Sequence, residues 1–305
     1  MKESKICFVI LHYMALDETV NCVESIRTNI LGDKQIVVVD NCSPNGTGKD
    51  LLARYRDASD VAVVCTKKNL GFACGNNVGY SYAVRHFAPS FVVVMNNDME
   101  IRQPDFLAKI QESYDETQFA VMGPDIYSTK GEYHQNPQIR KVPGRSDLDK
   151  LIRSFVFKYR FRFMIPVKWF LKEKLHSLKG RGRSGDGGNG GHRHHHMIGY
   201  VDHVVENAFL HGSCYVFSPL FIEKHPEECF YNGTFMYMEA EILYYQARRD
   251  GEKMVYDPRL EVDHHEDVAT DAEFGKQGDK SVFTVKCMLQ SLCAFRDLMD
   301  RDSMA

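Results

Sequence analysis

The sequence predicts an α/β protein with a mostly parallel sheet flanked by helices, and three observations carry that expectation. Short apolar runs stand at Ile6 to Leu11, Gln35 to Val39, Val61 to Cys65 and Phe91 to Met95, hydrophobic throughout as strands covered on both faces are. Segments with apolar residues at helical spacing lie between them. The resulting β-α-β-α alternation implies parallel pairing, an architecture that receives ligands at the carboxyl ends of its strands.

The first run, ICFVIL, leads into Val20, Val23, Ile26 and Ile30, which share one face of a helix. The second reads QIVVVDNCSPNGT and places Asp40 at a strand end, ahead of a helix marked by Leu51, Leu52 and Tyr55. A carboxylate there can accept hydrogen bonds from a ligand's N–H or hydroxyl groups, or Asp40 and Asn41 can shape the turn and cap the helix. The third run is followed by NLGFACGNNVGY, with Val78, Tyr82 and Ala83 marking its helix. Gly71, Gly75 and Gly79 allow close backbone approach, and asparagine donors near a helix N-terminus suit phosphate or sugar hydroxyls. The spacing is not GxGxxG, and a plain strand-to-helix loop could read the same way. The fourth run, VVVMNNDME, ends in Asn96, Asn97 and Asp98. A lone carboxylate flanked by amide oxygens can hold a hard divalent cation that keeps several waters, or it can end the strand in an Asx turn.

Composition changes after about residue 140. Between Arg140 and Arg183 fourteen Lys or Arg face three acids, with aromatics at 155, 157, 159, 161 and 163. That alternation suits a half-buried strand, while Lys and Arg beside Phe and Trp169 suit an anionic membrane surface. GRGRSGDGGNGGHRHHH follows and offers nothing to a core, so a flexible loop is expected. Strands are expected near Phe209 to Ser218 and Lys253 to Tyr256, with helices over Glu239 to Arg249 and Val282 to Met299. The divisions expected are 1–135 for nucleotide-sugar binding, 136–198 for the basic aromatic insert and loop, 199–275 for the acceptor and catalytic half, and 276–305 for a terminal helix.

Across 305 residues the formal charge is −3, from 38 Lys plus Arg against 41 Asp plus Glu, which argues against a nucleic-acid partner. Nine scattered cysteines without a CxxC pair suggest reduced thiols and a cytoplasmic setting. No run reaches the length of a spanning helix or of a signal peptide, so a soluble or peripheral protein is expected. Zinc is disfavoured at HRHHH (192–196), where a glycine-rich setting gives no rigid frame.

Taken together, VVVDNCSPNGT, NLGFACGNNVGY and VVVMNNDME resemble the family 2 glycosyltransferases of the Rossmann-like GT-A fold, similar to bacterial polysaccharide and rhamnosyl-type transferases. FLHGSCYVFS, FMYMEAEILYYQARRDG and YDPRLEVDHHEDVAT look like that family's acceptor-side strand, acidic helix and closing histidine segment. The resemblance spans roughly residues 5–130 and 200–270. It implies that Asp40 binds the nucleoside of a nucleotide-sugar donor, that Asn69, Gly71, Ala73 and Asn76 border the ribose and sugar, and that Asn96 and Asn97 flank them. It implies Mg²⁺ or Mn²⁺ on Asp98, with His264 nearby, and transfer with inversion of a hexosyl or deoxyhexosyl group. A saccharide or lipid-linked acceptor in envelope or capsular polysaccharide synthesis would receive the sugar.

The chain departs from the family pattern twice. NND replaces Asp-x-Asp, removing one charge, and Glu239-Ala240 replaces the usual Glu-Asp, putting a methyl group where the general base commonly sits. Glu239 and Glu241 are then the candidate bases, turned apart on one helix. A protein that binds nucleotide sugars without transferring them is the alternative. A sugar nucleotidyltransferase is disfavoured because ILHYMALDET lacks a glycine-rich basic loop.

Overall fold

The four buried runs form β1 (Ile6–His12), β2 (Lys34–Asp40), β3 (Val61–Cys65) and β4 (Phe91–Asn96), parallel and ordered β3-β2-β1-β4. The computed structural model describes residues 5–139, 141–166, 169, 199–265 and 277–304. The crossovers are α1 (Leu16–Asn29), α2 (Thr47–Arg54) and α3 (Gly71–Phe87), as the helical spacing anticipates.

The chain continues through β5 (Met99–Glu100), α4 (Phe106–Thr117), β6 (Val121–Ser128), β7 (Tyr133–His134), α5 (Arg145–Arg160), β8 (Val205–Glu206) and β9 (Cys214–Phe217). It then forms α6 (Pro219–Lys224), α7 (Glu239–Asp250), β10 (Met254–His264) and α8 (Gln277–Asp302). One sheet runs through both halves in the order β3-β2-β1-β4-β9-β6-β10-β5, with β9 antiparallel to both neighbours and β6 parallel to β10. The sheet is therefore parallel at one side and mixed at the other.

Helices α1, α2 and α4 cover one face, where Val23, Ile26, Leu51 and Ile110 meet Phe8, Ile10 and Val93. On the other face Tyr80, Phe221 and Leu243, from α3, α6 and α7, meet Val9, Val94 and Phe217. Helix α3 lies close to the sheet because Gly79 lacks a side chain: a Cβ there would stand 2.4 Å from Val9 Cγ1 and 2.7 Å from Val39 Cγ2.

Three expectations need correction. The aromatic alternation at 155–163 is helical through Arg160, not a strand, because Leu148, Ile152 and Phe155 also repeat at helical spacing and pack on Leu292 and Phe295 of α8. The strand expected over Phe209 to Ser218 is confined to Cys214–Phe217, Phe209 contributing an isolated bridge to Gln138. Strand β10 runs on to His264, well past Tyr256, with its pairing shifted between Asp257 and Glu261. The expected loop at 180–196 and its HRHHH run lie outside the described residues. Among the described residues no helix is long and apolar enough to cross a membrane.

Candidate active site

Parallel register sets His12 beside Asp40 and Leu11 beside Asn96, so three strand ends converge at one edge of the sheet. Asp40 is buried, and its Oδ1 accepts the Ser43 amide at 3.1 Å, fixing the turn. Gly48, in the first turn of α2, has room for no Cβ, which would sit 2.1 Å from Asp40 Oδ2. No described residue donates a hydrogen bond to Oδ2.

Asn41 braces the next loop rather than capping α2. Its Oδ1 accepts the Leu70 amide at 2.9 Å, and its Nδ2 donates to Asn69 Oδ1 and to the Gly71 carbonyl, both at 3.1 Å. Asn69 Oδ1 in turn accepts the Gly71 amide at 2.9 Å. Gly71 has φ +79°, and a Cβ there would lie 2.1 Å from the Phe235 carbonyl oxygen, which accepts the Phe72 amide at 2.7 Å. The close approach that Gly71 allows is thus to the 234–238 loop. Ala73 has no exposed surface, and the Asn76 amide donates to the Phe72 carbonyl while its buried Oδ1 has no partner. Asn69 is half-buried, whereas Gly71, Ala73 and Asn76 are buried behind it.

Asn96 is half-buried at the end of β4, its amide held by the Ser213 carbonyl at 2.8 Å. Asn97 turns the other way and donates to Thr19 Oγ1 at 2.9 Å. That hydroxyl also meets His12 Nδ1 at 2.7 Å, and His12 Nε2 meets Thr47 Oγ1 at 2.9 Å. Burial depresses the His12 pKa, so a neutral imidazole ties both flanking helices to the strand ends. No sequence signal marked His12 beyond its place after an apolar run.

Asp98 is buried with Oδ1 3.3 Å from His264 Nε2. The contact lacks hydrogen-bond alignment, leaving Oδ1 a buried acceptor without a donor. His264 Nδ1 lies 2.7 Å from Gln135 Oε1, a hydrogen bond that orients the ring and turns Nε2 toward Asp98. A buried carboxylate oxygen that accepts no hydrogen bond, beside an imidazole nitrogen, suits a cation. Among the described residues no third acid, His or Cys joins them, a donor set that fits a hard divalent ion retaining waters and ligand oxygens. The nearness of His264 to Asp98 is what the family resemblance implies, whereas Gln135 was not legible in the sequence.

The second half closes the circuit. The His211 ring lies 5.9 Å from that of His264, and its amide is held by buried Asn136 at 2.6 Å. A Cβ on Gly212 would stand 4.0 Å from Ala240 Cβ, so the methyl group faces this segment. Tyr237 and Met238 both have positive φ, 75° and 70°, a strained pair immediately before α7. Glu239 Oε1 accepts the Thr234 hydroxyl at 3.0 Å. Burial, reinforced by the charge of Glu241, pushes its pKa up to about 7, against the hydrogen bonds it accepts. Glu241 is itself buried.

The sheet, with Asp40 and Asp98 at the strand ends of its parallel half and mixed pairing in its second half, has the GT-A fold. The chain belongs to glycosyl transferase family 2, whose model matches residues 7–178. Over 245 residues it is 24% identical to the low-salt glycan biosynthesis hexosyltransferase Agl10 of Haloferax volcanii, covering 79% of this chain and 61% of that one. It therefore spans less than two-thirds of that relative. In fold it is similar to S. aureus TarS 1-349 (TM-score 0.51, 11% identity, 86% of this chain and 60% of that one). It is likewise similar to GalNAc-T7 bound to UDP, GalNAc and Mn²⁺ (TM-score 0.55, 12% identity, 87% and 44%).

Proposed function

We propose that the protein moves a hexosyl or deoxyhexosyl group from a nucleoside-diphosphate donor to a saccharide or lipid-linked acceptor, inverting the anomeric carbon, in synthesis of an envelope or capsular glycan. The observation that carries this reading is the Asp98–His264 pair, held at a strand end beside the nucleoside-facing edge. TarS 1-349 in complex with UDP, similar at TM-score 0.51, and GalNAc-T7 with UDP and Mn²⁺ support the donor class and the metal.

Asp40 Oδ2 accepts from the nucleoside, and Asn69 and Asn96 donate to donor hydroxyls or phosphate. Asp98 and His264 would hold Mg²⁺ or Mn²⁺, which when bound would supply positive charge to offset that of the departing diphosphate. Glu239, with a pKa of about 7, takes the acceptor hydroxyl proton as the oxygen attacks the anomeric carbon. The carbon–oxygen bond to the diphosphate breaks, and that oxygen keeps the electron pair. A single displacement on the opposite face inverts the centre. Glu241, buried one residue beyond Ala240, is the second candidate base.

Ala240 favours one other reading, a protein that binds nucleotide sugars without using them. A panel of nucleotide sugars with Mn²⁺, followed for nucleoside diphosphate release with and without saccharide and lipid-linked acceptors, separates the two. Acceptor-stimulated release is expected. Binding with no release under any condition would leave only the binding reading.

A further inference from the structure

Helix α5 carries two apolar stripes where its packing uses one. Leu148, Ile152 and Phe155 face α8, with Leu148 fully buried. Turned away from them, Phe157 is 65% exposed, and beyond the helix end Phe163 is 67% and Met164 56% exposed. Phe161 joins these side chains, its ring 4.7 Å from Phe157 and 6.3 Å from Phe163. Among them stand Arg153, Lys158, Arg160 and Arg162, none of which forms an ion pair with a described residue. The Lys158 ammonium lies 4.3 Å from the Phe155 ring centroid and the Arg162 guanidinium 4.5 Å from that of Tyr159, so both cations are held against aromatic surface without an acid among the described residues to neutralise them.

Where α5 ends, a cavity of about 680 Å³ opens against the start of α8. Among the described residues Arg160, Arg162, Phe163, Pro166, Val282 and Phe283 line it, with Asp279 as the one acid. Cationic and apolar groups here face the same opening. A soluble polyanion would leave the apolar half unsatisfied, and an apolar protein surface would strand the guanidiniums. An anionic lipid surface, with phosphates at the level of the cations and acyl chains beneath, satisfies both.

We infer that the exposed stripe of α5, with the residues to Met164 and the cavity at its end, docks the protein on an anionic membrane surface. The docking face adjoins the loop that leads into Glu239. Phe283 of the cavity lies 6.3 Å, ring to ring, from Phe235, and Ser291 of α8 donates to the Met236 carbonyl at 2.8 Å. A membrane held there would set the opening near lipid headgroups. This inference concerns binding and does not depend on the reading of transfer.

Co-sedimentation of the full chain with phosphatidylcholine vesicles, with and without about one-third phosphatidylglycerol, tests it. Partition onto the anionic vesicles and little onto the neutral ones is expected, weakening with salt. Arg160→Gln with Arg162→Gln should weaken partition about 25-fold, near fivefold for each charge removed. Phe157→Ser with Phe163→Ser should weaken it while leaving its salt dependence and the thermal unfolding temperature unchanged. Absence of binding to anionic vesicles, or wild-type partition by both double variants, would overturn the inference. So would equally tight binding to soluble dextran sulfate that the phenylalanine variants do not alter.

Discussion

Replacing Glu239 with Gln should move activity and stability in opposite directions. The shape is kept and Oε1 can still accept the Thr234 hydroxyl, but the charge is lost. A carboxyl that ionises near 7 rather than at its ordinary 4.5 costs the folded state about 3 kcal/mol when charged. Below the ordinary carboxyl range folded and unfolded chains both hold the proton, and the cost is absent. It grows as pH rises from there and is complete above about 7. Glu239→Gln should therefore be more stable than wild type at pH 8, by up to about 3 kcal/mol, and no more stable at acid pH. Urea unfolding at the two pH values measures this. Single-turnover transfer should fall roughly 10²- to 10⁴-fold with donor affinity kept. The wild-type rate should climb with pH up to about 7, the range in which Glu239 loses its proton, and the variant should lose that limb. A transfer rate within tenfold of wild type that keeps the limb would remove Glu239 as base and turn attention to Glu241. Equal stability of the two proteins at pH 8 would refute the burial argument itself.

Other side chains make separate expectations. Asp40→Ala should raise the donor KM with little change in kcat, since a nucleoside contact acts in ground and transition states alike; steady-state kinetics over donor concentration will show it. Gln135→Ala should lower Mn²⁺ affinity roughly 10- to 100-fold by releasing the His264 ring, measurable as a shifted metal titration of transfer. Gly71→Ala meets the Phe235 carbonyl and a positive φ together, so a loss of about 1–3 kcal/mol is expected on denaturant unfolding.

The parallel half of the sheet was legible because its strands are covered on both faces and therefore read as uninterrupted apolar runs. Strand ends showed equally well: Asp40 and Asp98 interrupt such runs, and both stand at the carboxyl edge of the parallel strands. The second half was harder. Its antiparallel strands are short, and β9 has four residues where ten were expected. Helix α5 was obscured because alternate residues in SFVFKYRFRF also satisfy helical spacing, and only the docking of Leu148 and Ile152 on α8 decides between the periods. Within the site, the residue types that carry chemistry were visible, whereas their supports were not. Gln135 reaches His264 across 129 residues, and Phe235 reaches α3 across more than 160. No local pattern encodes contacts at that separation. Asn97 shows the converse, since adjacency to Asp98 suggested a shared role and its side-chain amide donates to Thr19, whose hydroxyl also meets His12.

The central claim is that Asp98 and His264 bind a divalent ion together with the donor diphosphate. Electron paramagnetic resonance of free Mn²⁺, titrated with protein in the presence and absence of UDP, tests it most directly because no transfer is needed. The wild-type protein should remove Mn²⁺ from solution more strongly when UDP is present, and Asp98→Ala should lose most of that enhancement while remaining folded. An undiminished UDP-dependent uptake by Asp98→Ala, or no uptake by the wild type with UDP, would contradict the claim.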